Sequence, residues 1–284
     1  MTVSLIMKSR SPSALLVAAF TLMSTPLFAV DIVAHRGASF DAPENTLASE
    51  KLAWQQGADA VEDDIQLTQD GQIIVCHDKT TKRTTGREGT IATLTFAELR
   101  TLDAGTWKGP QFAGEKLPTL DEQIALIPSG KRMLVEIKIG PEIMPELVRT
   151  IARSGASEKN VTFISFNYES LKEVRKKLPR YQTLYVVGYK APDPKASGAK
   201  APKAKKQPTL DEVIDEARAA GLTGLDLQST WPLTAADAKK IKAAGLQLHV
   251  WTVDVVEVAQ RWIGLGVASI TTNRPGWLRE QLKP

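Results

Sequence analysis

The 284 residues are 43% hydrophobic and 24% charged, with 19 Gly, 16 Pro and a net charge of +4, which excludes a disordered, collagen-like or coiled-coil chain. A single cysteine, Cys76, rules out an internal disulfide framework and any cysteine-rich zinc site. Residues 190–206 hold six lysines against Asp193, and outside this stretch and the first 29 residues 28 basic face 31 acidic residues, so nothing marks a nucleic-acid binder.

In chain order, Lys8 and Arg10 precede an apolar run over 14–23, interrupted only by Thr21, and Ser24, Thr25 and Pro26 lead to Ala29. This is the layout of a secretory signal peptide over 1–29, with cleavage expected after Ala29 and an uncleaved anchor as the alternative. This ten-residue run falls short of the roughly 20 apolar residues that span a bilayer. The domain over 30–284 is therefore expected to be secreted or periplasmic.

β-like stretches are expected at 31–36, 60–67, 72–77, 132–138, 161–166, 182–187, 223–227, 246–253 and 267–272, with helical spacing at 45–56, 144–154, 168–178, 210–220, 235–244 and 255–265. Strand alternating with helix indicates a parallel sheet covered by helices. Between 67 and 72 there is room only for a turn, and Asp70-Gly71 is a hairpin signal. Taking 72–77 as an antiparallel return arm leaves eight parallel strands, the count of a (β/α)8 TIM barrel with an added hairpin arm after strand two. The Pro-, Ala- and Lys-rich segment 190–206 reads as a solvated insertion on the catalytic face. It could make weak contact with an anionic surface.

In such a barrel the chemistry sits at the C-terminal strand ends. Polar groups stand there where a structural strand would carry Val or Leu: His35-Arg36, Glu62-Asp63-Asp64, His77-Asp78, Glu136 and Lys138, Ser165-Phe166-Asn167, and His249 with Trp251. With Asp70 and Gly71 as a two-residue turn, Asp64 falls opposite His77, with Cβ atoms about 5 Å apart. Side-chain alternation then places Glu62, Asp64 and His77 on one face, and Asp63 and Asp78 on the other. Three carboxylates, Glu62, Asp64 and Glu136, entering one mouth would repel one another unless compensated. Two readings are open on spacing: a hard divalent cation such as Mg²⁺ or Ca²⁺, or a metal-free charge network with Arg36 and Lys138. His35 and His77 could flank the centre and move protons near neutral pH, whereas His249, deeper in the barrel, reads as a hydrogen-bonded core residue.

At these residues the sequence resembles the glycerophosphodiester phosphodiesterase family. The resemblance is carried by His35-Arg36-Gly37, Pro43-Glu44-Asn45-Thr46, Glu62-x-Asp64, the Thr-x-Asp-Gly turn, His77-Asp78, Glu136-Ile-Lys138 and Trp251-Thr252-Val253, and runs from about residue 31 to 275. Leu102-Asp103-Ala104-Gly105 and Leu117-Pro118-Thr119-Leu120 add to it. It implies hydrolysis of a small phosphodiester to glycerol 3-phosphate and an alcohol with a divalent cation held by Glu62, Asp64 and Glu136. His35 and His77 would be general acid and base, and Arg36 and Lys138 would contact phosphate. Glu44 and Asn45 would lie around the metal or the glycerol hydroxyls, with Phe166 and Trp251 walling the pocket. Attack by the neighbouring glycerol hydroxyl, giving a cyclic phosphodiester, would need no protein nucleophile. Asn273 departs from the pattern, standing where an aspartate is common, and Asp63 adds an acid where an apolar residue is more usual. A two-carboxylate glycosidase and a phosphodiester-binding barrel with little turnover are the alternatives; the two histidines beside the acids count against both.

Overall fold

The computed structural model describes Met1 and residues 30–190 and 207–283. The expected signal peptide, apart from Met1, and residues 191–206 of the lysine-rich stretch lie outside the described residues. Nine strands are present among those described: β1 (Asp31–His35), β2 (Ala60–Leu67), β3 (Ile73–Val75), β4 (Arg132–Ile137), β5 (Val161–Ser165), β6 (Gln182–Val187), β7 (Gly224–Gln228), β8 (Gln247–Trp251) and β9 (Ser269–Thr272). All except β3 run parallel, and pairing of β1 with both β2 and β9 closes them into the expected eight-stranded barrel. β3 lies antiparallel on β2 as the extra arm.

Helices α1 (Leu47–Gln55), α2 (Lys82–Thr85), α3 (Phe96–Thr101), α4 (Leu120–Ile124), α5 (Met144–Ser154), α6 (Tyr168–Lys177), α7 (Leu210–Ala219), α8 (Ala235–Ala243), α9 (Val256–Gly264) and α10 (Pro275–Gln281) follow the strands. Threonine side chains accept from the first-turn amides of α1, α3, α4, α7 and α8, satisfying donors that a helix start leaves orphaned. None of the described helices is long and apolar enough to cross a membrane.

Two apolar layers fill the space between sheet and helices, built around residues such as Trp262 and Leu225 on one side and Phe163 and Leu147 on the other. A smaller cluster, Val33, Ala60, Leu134, Ile164, Leu184 and Val186, fills the barrel interior. Because side chains alternate along a strand, the next inward positions towards the C-terminal ends are His35, Glu62 and Asp64, Glu136, Asp226 and Trp251. The apolar interior is thus the floor on which the polar groups stand.

The hairpin register differs from the expectation by one residue. Ile65 pairs with Val75 and Leu67 with Ile73, so Asp64 faces Cys76, whose amide donates to the Asp64 carbonyl at 2.9 Å. The turn uses three residues: the Thr68 amide donates to the Gln72 carbonyl at 2.9 Å, and Gly71 takes φ of +78°. That is a turn closed by a left-handed residue, the other common setting for Asp-Gly. His77 therefore lies past the end of β3, and its Nδ1 meets Asp78 Oδ1 at 2.7 Å; the two do not face apart as expected.

Residues 76–119, between β3 and α4, pack over the arm, and Cys76, Ile91, Leu99, Leu102 and Leu117 share an apolar cluster with Ile74 of β3.

Candidate active site

The acid cluster is set by the parallel pairing of β2 with β4, not by the hairpin. Asp64 is the register partner of Glu136, and Glu62 that of His35 on β1. Glu62, Asp64 and Glu136 are all buried and offer carboxylate oxygens that lie within 4.8 Å of one another. The one-residue slip of β3 leaves this grouping untouched.

The loop after β1 completes the cluster. Arg36 and Asn45 both take φ of +57°, a region that side chains enter only when surroundings impose it. Gly37 between them has φ of +77°, and a Cβ there would lie 2.5 Å from Ser49 Oγ, so glycine is required. This conformation aims the Arg36 amide at Glu62 Oε2 (3.1 Å) and clamps Asp64 with Asn45, which donates Nδ2 to Oδ2 at 2.8 Å and accepts the Asp64 amide at 3.2 Å.

Both foreseen cations reach the cluster. Arg36 Nε is 3.3 Å from Asp64 Oδ2, and Lys138 Nζ is 2.7 Å from Glu136 Oε1 and 3.3 Å from Asp64 Oδ1. Burial would raise the Asp64 carboxyl, but Lys138 and Arg36 hold it below the usual range. Glu136 is pushed up to about 7 by burial and the Asp64 charge, against the pull of Lys138. Glu62 is driven furthest, well above an ordinary carboxyl, by burial and by Asp64 and Glu136. Its Oε1 has no hydrogen-bond partner. The charge network of the second reading is thus real, but it covers two of the three acids. A buried, unpartnered oxygen beside two other carboxylates fits a hard divalent cation.

The histidines sit in different surroundings. His35 Nε2 is 3.9 Å from Glu62 Oε2, and its Nδ1 is 2.7 Å from Asn273 Oδ1. Burial and then the Arg36 charge lower its imidazole to about 4, so it stands neutral. His77 follows Cys76, the residue that faces Asp64 across the hairpin. Its partner Asp78 is held down at about 2, chiefly by the Arg83 hydrogen bond of 2.6 Å. Arg83 also takes both oxygens of Glu44, at 2.7 and 2.8 Å, and Arg36 reaches Glu44 at 2.9 Å. Glu44 is therefore engaged by two arginines at the rim. His249 is a core residue, with Nδ1 2.7 Å from Ser269 Oγ.

Phe166 packs edge-on against Trp251 with ring centroids 5.3 Å apart, and Lys138 Nζ lies 5.8 Å over the Phe166 ring. Phe166 is 47% exposed, giving the mouth an apolar wall. Below the acids is a cavity of about 20 Å³ lined by His35, Glu62, Glu136, Asp226, Trp251 and Thr271, among others, room for one water.

Sequence reasoning did not single out Arg83, Asp254 or Asp226. Arg83 and Asp254 reach the site only through loop packing. Asp226 carried a readable signal, an acid between two leucines on a strand; it is buried, and burial followed by the Glu136 charge raises it to about 8.

Residues 35–277 match the model of the glycerophosphoryl diester phosphodiesterase family. A glycerophosphodiester phosphodiesterase from Caldanaerobacter subterraneus is 37% identical over 252 residues, covering 86% of this chain and 94% of that protein. A second, from Bacillus subtilis, is 31% identical over 260 residues, covering 86% and 83%. The solved structure of an Oleispira antarctica phosphodiesterase in complex with the product sn-glycerol-3-phosphate superposes with a TM-score of 0.77 at 29% identity, covering 89% of this chain and 96% of that one.

Proposed function

The chain belongs to the glycerophosphoryl diester phosphodiesterase family, and on that premise we propose that it hydrolyses glycerophosphodiesters to glycerol 3-phosphate and a free alcohol. The observation that carries the reading is three buried carboxylates converging within 4.8 Å, with Arg36, Lys138 and the His35 imidazole at their border. Glu62, Asp64 and Glu136 would hold a divalent cation, Mg²⁺ or Ca²⁺. When bound there, such an ion would supply positive charge to a phosphoryl oxygen.

Arg36 and Lys138 add fixed positive charge where the phosphodiester anion must sit, and so favour the transition state in which that charge concentrates. The histidines move the protons. One takes the proton of the attacking hydroxyl and the other delivers one to the departing alkoxide, each worth about 10²–10⁴ in rate. No serine or cysteine nucleophile is required if the hydroxyl next to the ester attacks phosphorus, since water then opens the cyclic product. Trp251 and Phe166 give the glycerol carbons an apolar surface, which favours a small polyol over a bulky group on that side.

The test is to follow glycerol 3-phosphate release from glycerophosphocholine and glycerophosphoethanolamine with and without chelator. Release should stop with EDTA and return with Mg²⁺ or Ca²⁺, and His35→Ala and His77→Ala should each lose about 10²–10⁴ in kcat. Undiminished turnover in both histidine variants would remove the proton-transfer assignment, and turnover indifferent to chelation would remove the cation.

A further inference from the structure

We infer that Asn273, held in one orientation by Asp254, is a positioning residue that fixes which ring nitrogen of His35 carries the proton. The inference rests on the reading above, in which His35 exchanges a proton with the substrate.

Asp254 follows β8, Asn273 follows β9, and His35 ends β1, which pairs with β9. Asp254 Oδ1 accepts the Asn273 backbone amide at 2.9 Å and the Thr272 hydroxyl at 2.7 Å; its Oδ2 accepts Asn273 Nδ2 at 2.5 Å. A carboxylate can only accept, so the NH₂ end of the Asn273 amide must face Asp254 and the oxygen end must face away. That oxygen receives the Ser39 hydroxyl at 3.0 Å and lies 2.7 Å from His35 Nδ1. The opposite amide orientation would set oxygen against the Asp254 carboxylate, acceptor against acceptor. An oxygen at Nδ1 requires the proton on Nδ1, which leaves the lone pair on Nε2, the nitrogen turned to the acid cluster. A free imidazole populates both tautomers; here one is selected before substrate arrives, and His35 enters the reaction as an acceptor through Nε2. An aspartate at 273 would also accept from Nδ1, but beside Asp254 it would bring two carboxylates together. Asparagine serves as relay because a second acid already stands behind it.

The experiment combines kinetics on glycerophosphocholine with ¹⁵N spectra of the imidazole rings, which only three histidines contribute. Spectra are taken at about pH 8, where an ordinary imidazole is neutral. The key variant is Asp254→Asn. The Asn273 backbone amide still demands an acceptor, so the new side chain keeps its oxygen there and turns its NH₂ toward Asn273. Asn273 must then flip and present its own NH₂ to His35, which moves the ring proton to Nε2. Expected are the inverted His35 tautomer and a kcat about 10- to 100-fold lower, with KM unchanged to about threefold. Combining Asp254→Asn with Asn273→Asp exchanges the two side chains, restores an acceptor on Nδ1, and should recover both spectrum and kcat.

An unchanged His35 tautomer in Asp254→Asn overturns the inference, as does a folded double variant that recovers neither observable. A lower kcat with the ring unaltered assigns Asp254 a merely structural role and also overturns it. If the unsubstituted protein releases no glycerol 3-phosphate while the tautomer inverts as expected, the phosphodiesterase reading falls and the clamp stands.

Discussion

Glu50 and Asp63 form a second buried acid pair, on the opposite side of β2 from the site. Asp63 faces the helices, as alternation along the strand requires, and receives Gln123 Nε2 at 3.4 Å; Glu50 receives Trp54 Nε1 at 3.2 Å. One oxygen of each acid has no hydrogen-bond partner. Burial raises Glu50 to about 8, and burial with the Glu50 charge drives Asp63 well above an ordinary carboxyl. The folded state keeps protons that the unfolded chain releases near pH 4.5, so this contribution is full below that pH and is lost as pH rises through about 8. Replacing Glu50 by Gln should flatten the alkaline decline. Between pH 5 and 9 the unfolding midpoint of the unsubstituted protein should fall by several degrees more than that of Glu50→Gln; equal declines in thermal scans would refute the assignment. The facing of Asp63 was readable from the strand period. Its partner was not, because Glu50 looks like an ordinary acid in a helix's first turn until α1 is docked on β2.

The hairpin and the piece above it show what a one-dimensional pattern leaves open at the scale of elements. All nine strands were legible from apolar runs and turn residues, and most of the long helices from their spacing. Asp70-Gly71 marked the turn but not its length, because a two-residue and a three-residue loop both place glycine at positive φ. What selects the longer loop is partly tertiary: Asp70 Oδ1 accepts the Thr68 hydroxyl and also the Phe96 amide, at the start of α3, at 2.9 Å. The short helices of residues 76–119 carry too few turns for a periodicity, so their arrangement was not legible either. There Leu102-Asp103-Ala104-Gly105 turns out to be a loop clasp. Asp103 accepts the amides of Gly105, Thr106 and Gly114, each at 2.8 Å, and these hold its carboxyl far below the usual range. A Cβ on Gly105 would meet the Phe112 carbonyl oxygen at 1.9 Å. Gly105→Ala should therefore cost roughly 1–3 kcal/mol, the range for overpacking. Hydrogen exchange should place the loosening within 76–119 and leave the barrel strands protected; uniform loosening would show that this piece and the barrel open as one.

For the whole molecule, the acid cluster ties neighbouring staves of the barrel at its mouth: Glu62 and Asp64 come from β2 and Glu136 from β4. A ligand that binds only the folded cluster stabilises the entire barrel by mass action. At a hundredfold excess over its dissociation constant, Mg²⁺ or Ca²⁺ should raise the unfolding midpoint by about 5 to 10 °C. EDTA should reverse the gain, and Glu136→Gln should abolish most of it. A midpoint indifferent to either ion in the unsubstituted protein would leave the cluster as the charge network alone. Sequence spacing could name the three acids, but only barrel closure shows that Arg36 and Lys138 leave Glu62 without a basic side chain bonded to it.

His35 and the carboxylates are seated in the staves, while His77, Asp78 and Arg83 ride on a segment whose apolar cluster is anchored on Ile74 of the arm. In the proposed mechanism, one imidazole therefore belongs to the barrel itself and the other to a segment packed on its arm. Grafting a different segment between residues 76 and 119 should, on that mechanism, retune leaving-group preference without recasting the carboxylate frame of β2 and β4, a division of labour by which one scaffold can diversify its repertoire.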